Sequence, residues 1–427
     1  MRNVFLIVVS LLVTTVMCAS AQQASQVLTL QDCIRLAESA PSPVSIARQE
    51  HEIAAREISQ ARAGFLPQSH LVNGVSYNSP LLYNRELFSH LPLNGIREYA
   101  FLLNVSQEFD TSGRLRAEMS KARISQELAA TGIALTERDL KRAVTASYYQ
   151  VLLTRRIVRI VQEALSEGQS FENRTRLLFE GGEAAQADVI KASAQAAFLQ
   201  QALNTAQLEE KLAEQELASF WTRDVAQPLA LADVFDETPP VPEGEAAQSA
   251  PFLKRPEFSL FDAQRRGFQA DAKRARAGLL PQLGLAFQYG IDSTAVRIHD
   301  RGYAAFVNLT LPVFDWNKAR SAVQQARLKE QQTEQARAMS ERAFSKEYQS
   351  ALTRVRRLFE QISLTLRQAK LAEDDLRLSR IRYQGGEGSA LDVVTAQNQL
   401  AQARTNYYAT IANYLNAKAD LEVASGR

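Results

Sequence analysis

The chain has 427 residues, with 49 Lys and Arg against 47 Asp and Glu, a formal net charge of +2. That balance excludes a general nucleic-acid-binding surface, and two cysteines, Cys18 and Cys33, are too few for a disulfide scaffold. Beyond the N-terminal leader no stretch is apolar enough for a membrane-spanning helix, so any membrane segment has to be built of strands.

Residues 1–21 read as a secretory signal peptide. Arg2 precedes an apolar run from Val4 to Val16, and Ala19-Ser20-Ala21 has the small-residue form of a cleavage site. The run is too short to span a bilayer, although an uncleaved anchor is the alternative. Cys18 raises a second alternative, a lipid-modified N-terminus, but Met17 stands where a small residue usually precedes a lipidated cysteine.

The prolines then divide the chain. None lies between Pro92 and Pro228, and none follows Pro312. A proline inside a helix costs about 3 kcal/mol, so these gaps are where long helices are predicted. In the first gap a helix from about Gly113 to Phe179 would run roughly 100 Å, far more than a compact domain needs. Apolar residues recur there at helical spacing, as Ile157, Ile160, Val161, Ala164 and Leu165, and in the second gap as Leu352, Val355, Phe359, Ile362 and Leu366.

Four windows alternate with a period of two instead: Leu71–Tyr77, Tyr99–Phe109, Leu283–Ile291 and Tyr303–Leu311. Leu283, Leu285, Phe287, Tyr289 and Ile291 oppose Gly284, Ala286, Gln288 and Gly290. Three of the four windows approach the length of a tilted transmembrane strand, about 9–11 residues; Leu71–Tyr77 is the weakest of them. The edge of a soluble β-sandwich is the other reading. Six prolines between Pro228 and Pro256 mark an irregular connector.

The chain also repeats itself. Ala61-Arg62-Ala63-Gly64-Phe65-Leu66-Pro67-Gln68 returns as Ala275-Arg276-Ala277-Gly278-Leu279-Leu280-Pro281-Gln282, Phe109-Asp110 as Phe314-Asp315, and Gly181-Gly182-Glu183 as Gly385-Gly386-Glu387. Three matches in one order define a duplicated unit of helix, strand, strand, long helix, glycine turn and helix. The expected divisions are a first repeat at 22–227, a connector at 228–256 and a second repeat at 257–427. Gly64 and Gly278 are expected at helix C-termini, and Asp110-Thr111-Ser112 as an N-terminal cap.

Four strands per chain leave two open sheet edges, which lipid does not tolerate. Copies of the chain must share one barrel: eight strands for a dimer, twelve for a trimer. Small and polar residues such as Gly284, Ala286, Asn308 and Thr310 on one sheet face favour an open lumen, and hence the trimer.

These residues resemble the outer membrane efflux protein family of TolC type. The likeness rests on the start Leu28-Thr29-Leu30-Gln31-Asp32-Cys33-Ile34-Arg35-Leu36-Ala37, on the two A-G/L-P-Q and F-D motifs, and above all on the pattern from Arg380 through Tyr383 and Gly386 to Asp392-Val393. The resemblance implies a mainly α fold with membrane β: a trimeric 12-stranded barrel continued by a long periplasmic α-barrel. It implies a passive export channel in the outer membrane, in contact with outer membrane lipid, serving tripartite efflux or type I secretion. Partners would be a periplasmic adaptor and an inner-membrane transporter, with no cofactor and no nucleic acid. Carried over by position, the adaptor-docking tip falls on Gly181, Gly182, Gly385 and Gly386, and the channel gate on Tyr383 and Asp392. Two departures stand out: a gate arginine falls on Gly388, and a second ring aspartate on Thr395. Asp188 and Asp392 have a simpler reading as first-turn carboxylates favoured by the helix dipole.

His51, His70, His90 and His299 are scattered without metal-ligand spacing, and no nucleophile motif, phosphate loop or acid pair marks an enzyme. Arg155, Arg156 and Arg159, and Arg354, Arg356 and Arg357, are expected on solvated faces or in inter-helix pairs, and Trp221 and Trp316 as packing residues at helix ends, with Trp316 a candidate interfacial anchor. The rival of another class is a periplasmic helical adaptor or scaffold without a barrel.

Overall fold

The computed structural model describes residues 27–81, 84–89, 96–237 and 250–426. The expected signal peptide, Cys18, His90 and the prolines 239, 240 and 242 lie outside these. Along the chain come α1 (Leu30–Ser39), α2 (Pro43–Ala63), β1 (Gln68–Tyr77), β2 (Pro80–Leu81), β3 (Asn84–Ser89), β4 (Arg97–Phe109), α3 (Arg114–Glu180) and α4 (Gln186–Ser219). After the connector follow α5 (Pro256–Ala277), β5 (Gln282–Ser293), β6 (Arg301–Thr310), α6 (Lys318–Gln384) and α7 (Ala390–Ala424). α3 and α6 have 67 residues each, so the two halves use the same long element.

Two compact units emerge, and each draws on both halves of the chain. The first comprises residues up to Ser45, Thr136–Lys254 and Phe344–Arg427. Its core joins Cys33 and Val44 to Val144, Tyr148 and Val151 of α3, Leu217 of α4, Val355 of α6, and Ile411 and Tyr414 of α7. The connector is strapped onto this core. Leu28 and Leu231 form a parallel bridge, and the Tyr148 hydroxyl donates to the Ala232 carbonyl at 2.6 Å. Arg156, 6% exposed, holds Asp233 at 2.7 Å and Asp236 at 2.5 Å and lies 5.1 Å from the Tyr408 ring centroid. Of the arginine group on α3, Arg159 is exposed and Arg155 forms an inter-helix pair with Glu214 of α4, as expected, whereas Arg156 is buried and pins the connector. A buried guanidinium is tolerated because carboxylates compensate it. Burial pushes the Cys33 thiol up to about 11.

The second unit comprises Ile46–Leu135 and Arg255–Ala343. It holds a four-stranded antiparallel sheet in the order β1-β4-β5-β6. The register aligns the apolar alternation across all four strands. Leu71 faces Leu103, Leu103 faces Tyr289, and Tyr289 faces Tyr303; successive residues along a strand alternate faces. One face therefore carries Val75, Phe101, Leu103, Leu285, Phe287, Tyr289, Tyr303, Val307 and Leu309, all of them exposed in the single chain. The opposite face carries Asn104, Ser106, Gly284, Ala286, Gln288, Asn308 and Thr310. At Gly290 the neighbouring strand comes so close that an added Cβ would lie 1.9 Å from the Phe101 carbonyl oxygen. Beneath the sheet, α5 packs Ala263 and Ala270 against Ile124 of α3. No helix among the described residues is long and apolar enough to cross a membrane.

Two details differ from the sequence reading. The short hairpin β2–β3 was not predicted, because its two-residue first strand carries no alternation. Gly64 and Gly278 do follow the ends of α2 and α5 as expected, Gly278 as a C-cap at φ −64, outside the left-handed region. Gly278 and Gly64 instead lie close to helix carbonyls, at 3.2 and 3.3 Å from where a Cβ would stand. Trp316 is 85% exposed, touching Phe314 edge-to-face at 4.6 Å, so it is no packing residue within the chain; Trp221 does pack against the core of the first unit. The capping role of Asp110 is present: its carboxylate accepts the amides of Leu115 and Arg116 at 3.0 and 3.2 Å.

Candidate functional site: the two helix reversals

Both long helices end in the same device. After α3, the Gly182 amide donates to the Phe179 carbonyl at 3.0 Å and the Glu183 amide to Leu178 at 2.8 Å. After α6, Gly386 donates to Tyr383 at 3.2 Å and Glu387 to Arg382 at 2.9 Å. This paired bonding is the Schellman arrangement, which requires one residue in the left-handed region. Gly182 and Gly386 fill that place, with φ of +80 and +76. Gly181 and Gly385 have no positive φ, and an added Cβ on each would meet nothing nearer than 3.6 Å. The reversal therefore demands only the second glycine of each pair.

Past the turn the two copies part. α7 opens with a capping box. The Ser389 amide donates to the Asp392 carboxylate at 2.9 Å, and the Asp392 amide donates to the Ser389 hydroxyl oxygen at 3.2 Å. Hydrogen bonding to the Ser389 backbone and side chain holds the Asp392 carboxyl below the ordinary aspartate range, with the positive charge of Arg382 adding to it. α4 has Ala185 in the capping place and no side-chain cap; Asp188 lies 3.6 Å from Lys191. The helix-start reading thus holds for both: Asp188 and Asp392 stand in the first turns of α4 and α7, and Asp392, which remains exposed, also closes a capping box.

Tyr383 is half-buried. Its ring meets Phe171 of α3 edge-to-face, centroids 5.2 Å apart, and its hydroxyl is buried without a hydrogen-bond partner among the described residues. With Ser166, Ser170, Arg174, Arg380 and Gln384 these rings line a pocket of about 170 Å³. Its counterpart in the first copy, Phe179, is 42% exposed. Phe171 belongs to a cluster with Ala192 of α4, Leu376 of α6, and Ala390, Val393 and Leu400 of α7. Around that cluster, Arg380 pairs with Glu167, Arg404 reaches Glu163 at 3.0 Å, and Gln195 donates to Asn398 at 2.7 Å. Each of these contacts crosses from the α3–α4 hairpin to the α6–α7 hairpin. Sequence reasoning singled out Tyr383, Asp392 and the motif that opens on Arg380, but missed Phe171, Glu167 and Gln195, which carry no local pattern. Gly388 lies against the end of α6, where a Cβ would sit 3.1 Å from the Tyr383 backbone nitrogen, so any side chain there would need its neighbours to give by a few tenths of an ångström.

Comparison with known proteins agrees with this construction. The family model described as "Outer membrane efflux protein" matches residues 34–222 and 253–427. The chain is 25% identical over 328 residues to the pyoverdine export outer membrane protein OpmQ of Pseudomonas putida, covering 76% of this chain and 69% of that protein. The outer membrane channel CmeC of Campylobacter jejuni superposes with a TM-score of 0.80 at 17% identity, covering 93% of this chain and 85% of that one. The outer membrane protein VceC of Vibrio cholerae gives 0.80 at 18% identity, covering 93% and 96%. The family match leaves out only the first 33 residues and the connector, so the kinship first visible in scattered motifs extends over both repeats, and the chain belongs to the outer membrane efflux protein family.

Proposed function

We propose that the protein works as a homotrimeric, passive export channel of the outer membrane. The observation that carries this is the sheet. Its apolar face is continuous over four strands, and β1 and β6 have no outer neighbour among the described residues. In lipid both edges have to be paired. Antiparallel pairing of β6 with β1 of another copy satisfies them, and three copies give twelve strands and a lumen lined by the small and polar face. The long helices α3 and α6 are too rich in charge to lie in lipid, and in this reading they and the two glycine reversals are periplasmic.

In this reading the turns at Gly181-Gly182 and Gly385-Gly386 meet the periplasmic adaptor, which links the channel to an inner-membrane transporter. Tyr383 and Asp392 form the gate. Three symmetry-related Asp392 carboxylates near one axis attract cations and repel anions. Opening is a population shift in which the contacts between hairpins are exchanged for others, with no covalent chemistry. Nothing in the reading requires catalysis. A periplasmic adaptor without a barrel has no use for the apolar sheet face.

The test is to isolate outer membranes and measure heat-modifiable migration and assembly mass. A trimer that shifts on boiling is expected; a soluble periplasmic monomer would overturn the reading. For the gate, Asp392→Asn in a reconstituted channel is expected to weaken cation selectivity, and unchanged selectivity would leave Asp392 only its capping role.

A further inference from the structure

We propose that the groove between the end of α5 and the start of α6 binds a phosphate-bearing anion. The groove encloses about 600 Å³ within the second unit. Four cations from three helices line it: Lys121 of α3, Arg274 of α5, and Lys318 and Lys329 of α6. Two carboxylates, Asp271 and Asp315, face them, so the lining carries 4 − 2, or two, uncompensated positive charges.

The distribution of partners sharpens this. Asp271 is divided between Lys121 at 2.7 Å and Arg274 at 3.4 Å. Asp315 accepts the amides of Asn317 and Ala319 at 3.0 and 2.9 Å, which commits its oxygens to the start of α6. Lys318 has no side-chain partner among the described residues. Lys329 lies over the Phe268 ring, 5.9 Å from its centroid, and forms no ion pair among the described residues. Between the cations the walls are small, with Ala275, Ala319, Ala322 and Ala326, so the space is open to a group of several heavy atoms. A phosphate brings one to two negative charges and several acceptor oxygens to one centre, which suits lysines that act as point charges.

The duplication supplies an internal control. α3 and α6 align with an offset of 318 − 114 = 204, and α2 and α5 with 277 − 63 = 214. The counterpart of Lys329 is then Ser125 and that of Arg274 is Gln60. Lys318 corresponds to Arg114, which is neutralised by Glu108 at 2.5 Å and Glu118 at 2.8 Å. The first copy makes the same helix–strand junction with no cation at two of these positions and a neutralised one at the third, so the fold itself does not require them. Gly278 of the groove lies four residues before β5, and Asp315 five residues after β6. The groove is therefore at the foot of the sheet, where a lipid headgroup or a soluble phosphate could supply the anion.

The experiment titrates the full-length protein in detergent, by calorimetry, with inorganic pyrophosphate and separately with cardiolipin in mixed micelles. Wild type is expected to bind at least one probe. The double variant K318Q/K329Q is expected to weaken that binding about tenfold or more, close to the loss of one full interaction of about 1.4 kcal/mol, with its unliganded thermal midpoint unchanged because both lysines are exposed. K211Q/K370Q, which removes two exposed lysines elsewhere, is expected to bind as wild type does. Binding of cardiolipin but not pyrophosphate identifies a membrane source, and the converse a soluble one. Failure of wild type to bind either probe, or equal weakening by both double variants, overturns the proposal.

Discussion

The reversal after α3 and the reversal after α6 have the same backbone and different neighbours. Both use a left-handed glycine and the same pair of amide-to-carbonyl bonds. Yet Tyr383 is packed on Phe171 and α7 is capped by Ser389, whereas Phe179 is exposed and α4 starts at an uncapped Ala185. The lesson is that duplication kept what the chain needs to turn, and changed what holds the turn to its surroundings. Both hairpins leave apolar tip residues exposed, Leu177, Phe179 and Ile190 in the first and Ile381 and Leu391 in the second, so the difference lies in the ring at the turn, exposed as Phe179 and packed as Tyr383.

The largest expected effect removes that packing. Phe171→Ala removes a 7%-exposed ring from the cluster shared by the two hairpins, at a cost of about 3–5 kcal/mol. Its counterpart in the second copy, at 171 + 204, is the exposed Asp375, and Asp375→Ala is expected to stay within about 0.5 kcal/mol. Denaturant midpoints of the assembled protein measure both; similar losses would mean that the hairpins are equally tethered.

Next come the glycines. Gly182→Ala and Gly386→Ala are each expected to cost about 1–2 kcal/mol, because an L-residue is strained in the left-handed region. The two losses should be nearly equal. Gly181→Ala and Gly385→Ala should be neutral or gain up to about 1 kcal/mol, as they extend a helix without a clash. A loss at Gly181 or Gly385 in adaptor binding, with stability intact, would mark those positions as contact surface.

Much of this was legible beforehand, for reasons tied to particular residues. Proline exclusion and paired glycines fixed the long helices to within a residue or two, Gly113–Phe179 against the observed Arg114–Glu180. Period-two alternation located β1, weakest of the four, and β4, β5 and β6, because one face of the sheet is largely apolar. What was not legible depends on distant partners. Arg156 looks like any helix-surface arginine until Asp233 and Asp236 come to it, and Phe171 looks like one more apolar helix position until Tyr383 comes to it. The proposed gate and tip rest on resemblance, not on local chemistry.

A smaller expected effect concerns the caps. Ser389→Ala should cost about 1 kcal/mol, and Ala185→Ser should return a similar or smaller amount to the first hairpin. Hydrogen exchange of the first-turn amides of α4 and α7 separates the two; no change at either would show that packing alone sets both helix starts.

The smallest effect is the pH response of the second turn. The folded Asp392 carboxyl lies below its unfolded value, near the ordinary aspartate value of about 3.9. Its stabilisation is therefore fully present above that value and is lost as pH falls through the folded one. Exchange at the start of α7 should speed up in acid for wild type, and lose that component in Asp392→Asn. An acid response unchanged by the substitution would assign it to other groups.

The order of strands in the sheet has a consequence for how the chain matures. β4 ends at Phe109 and its neighbour β5 begins at Gln282, so 282 − 109 = 173 positions separate two strands that share eleven residue pairs from Tyr99 to Phe109. Non-local pairing of this kind is slow, because a long loop must close before any contact rewards it. A chain made from its N-terminus completes β1 and β4 while β5 is still unsynthesised. For that interval a half-sheet with an apolar face has nothing to pair with, and its safe passage falls to whatever shields unfolded chains before the second half arrives.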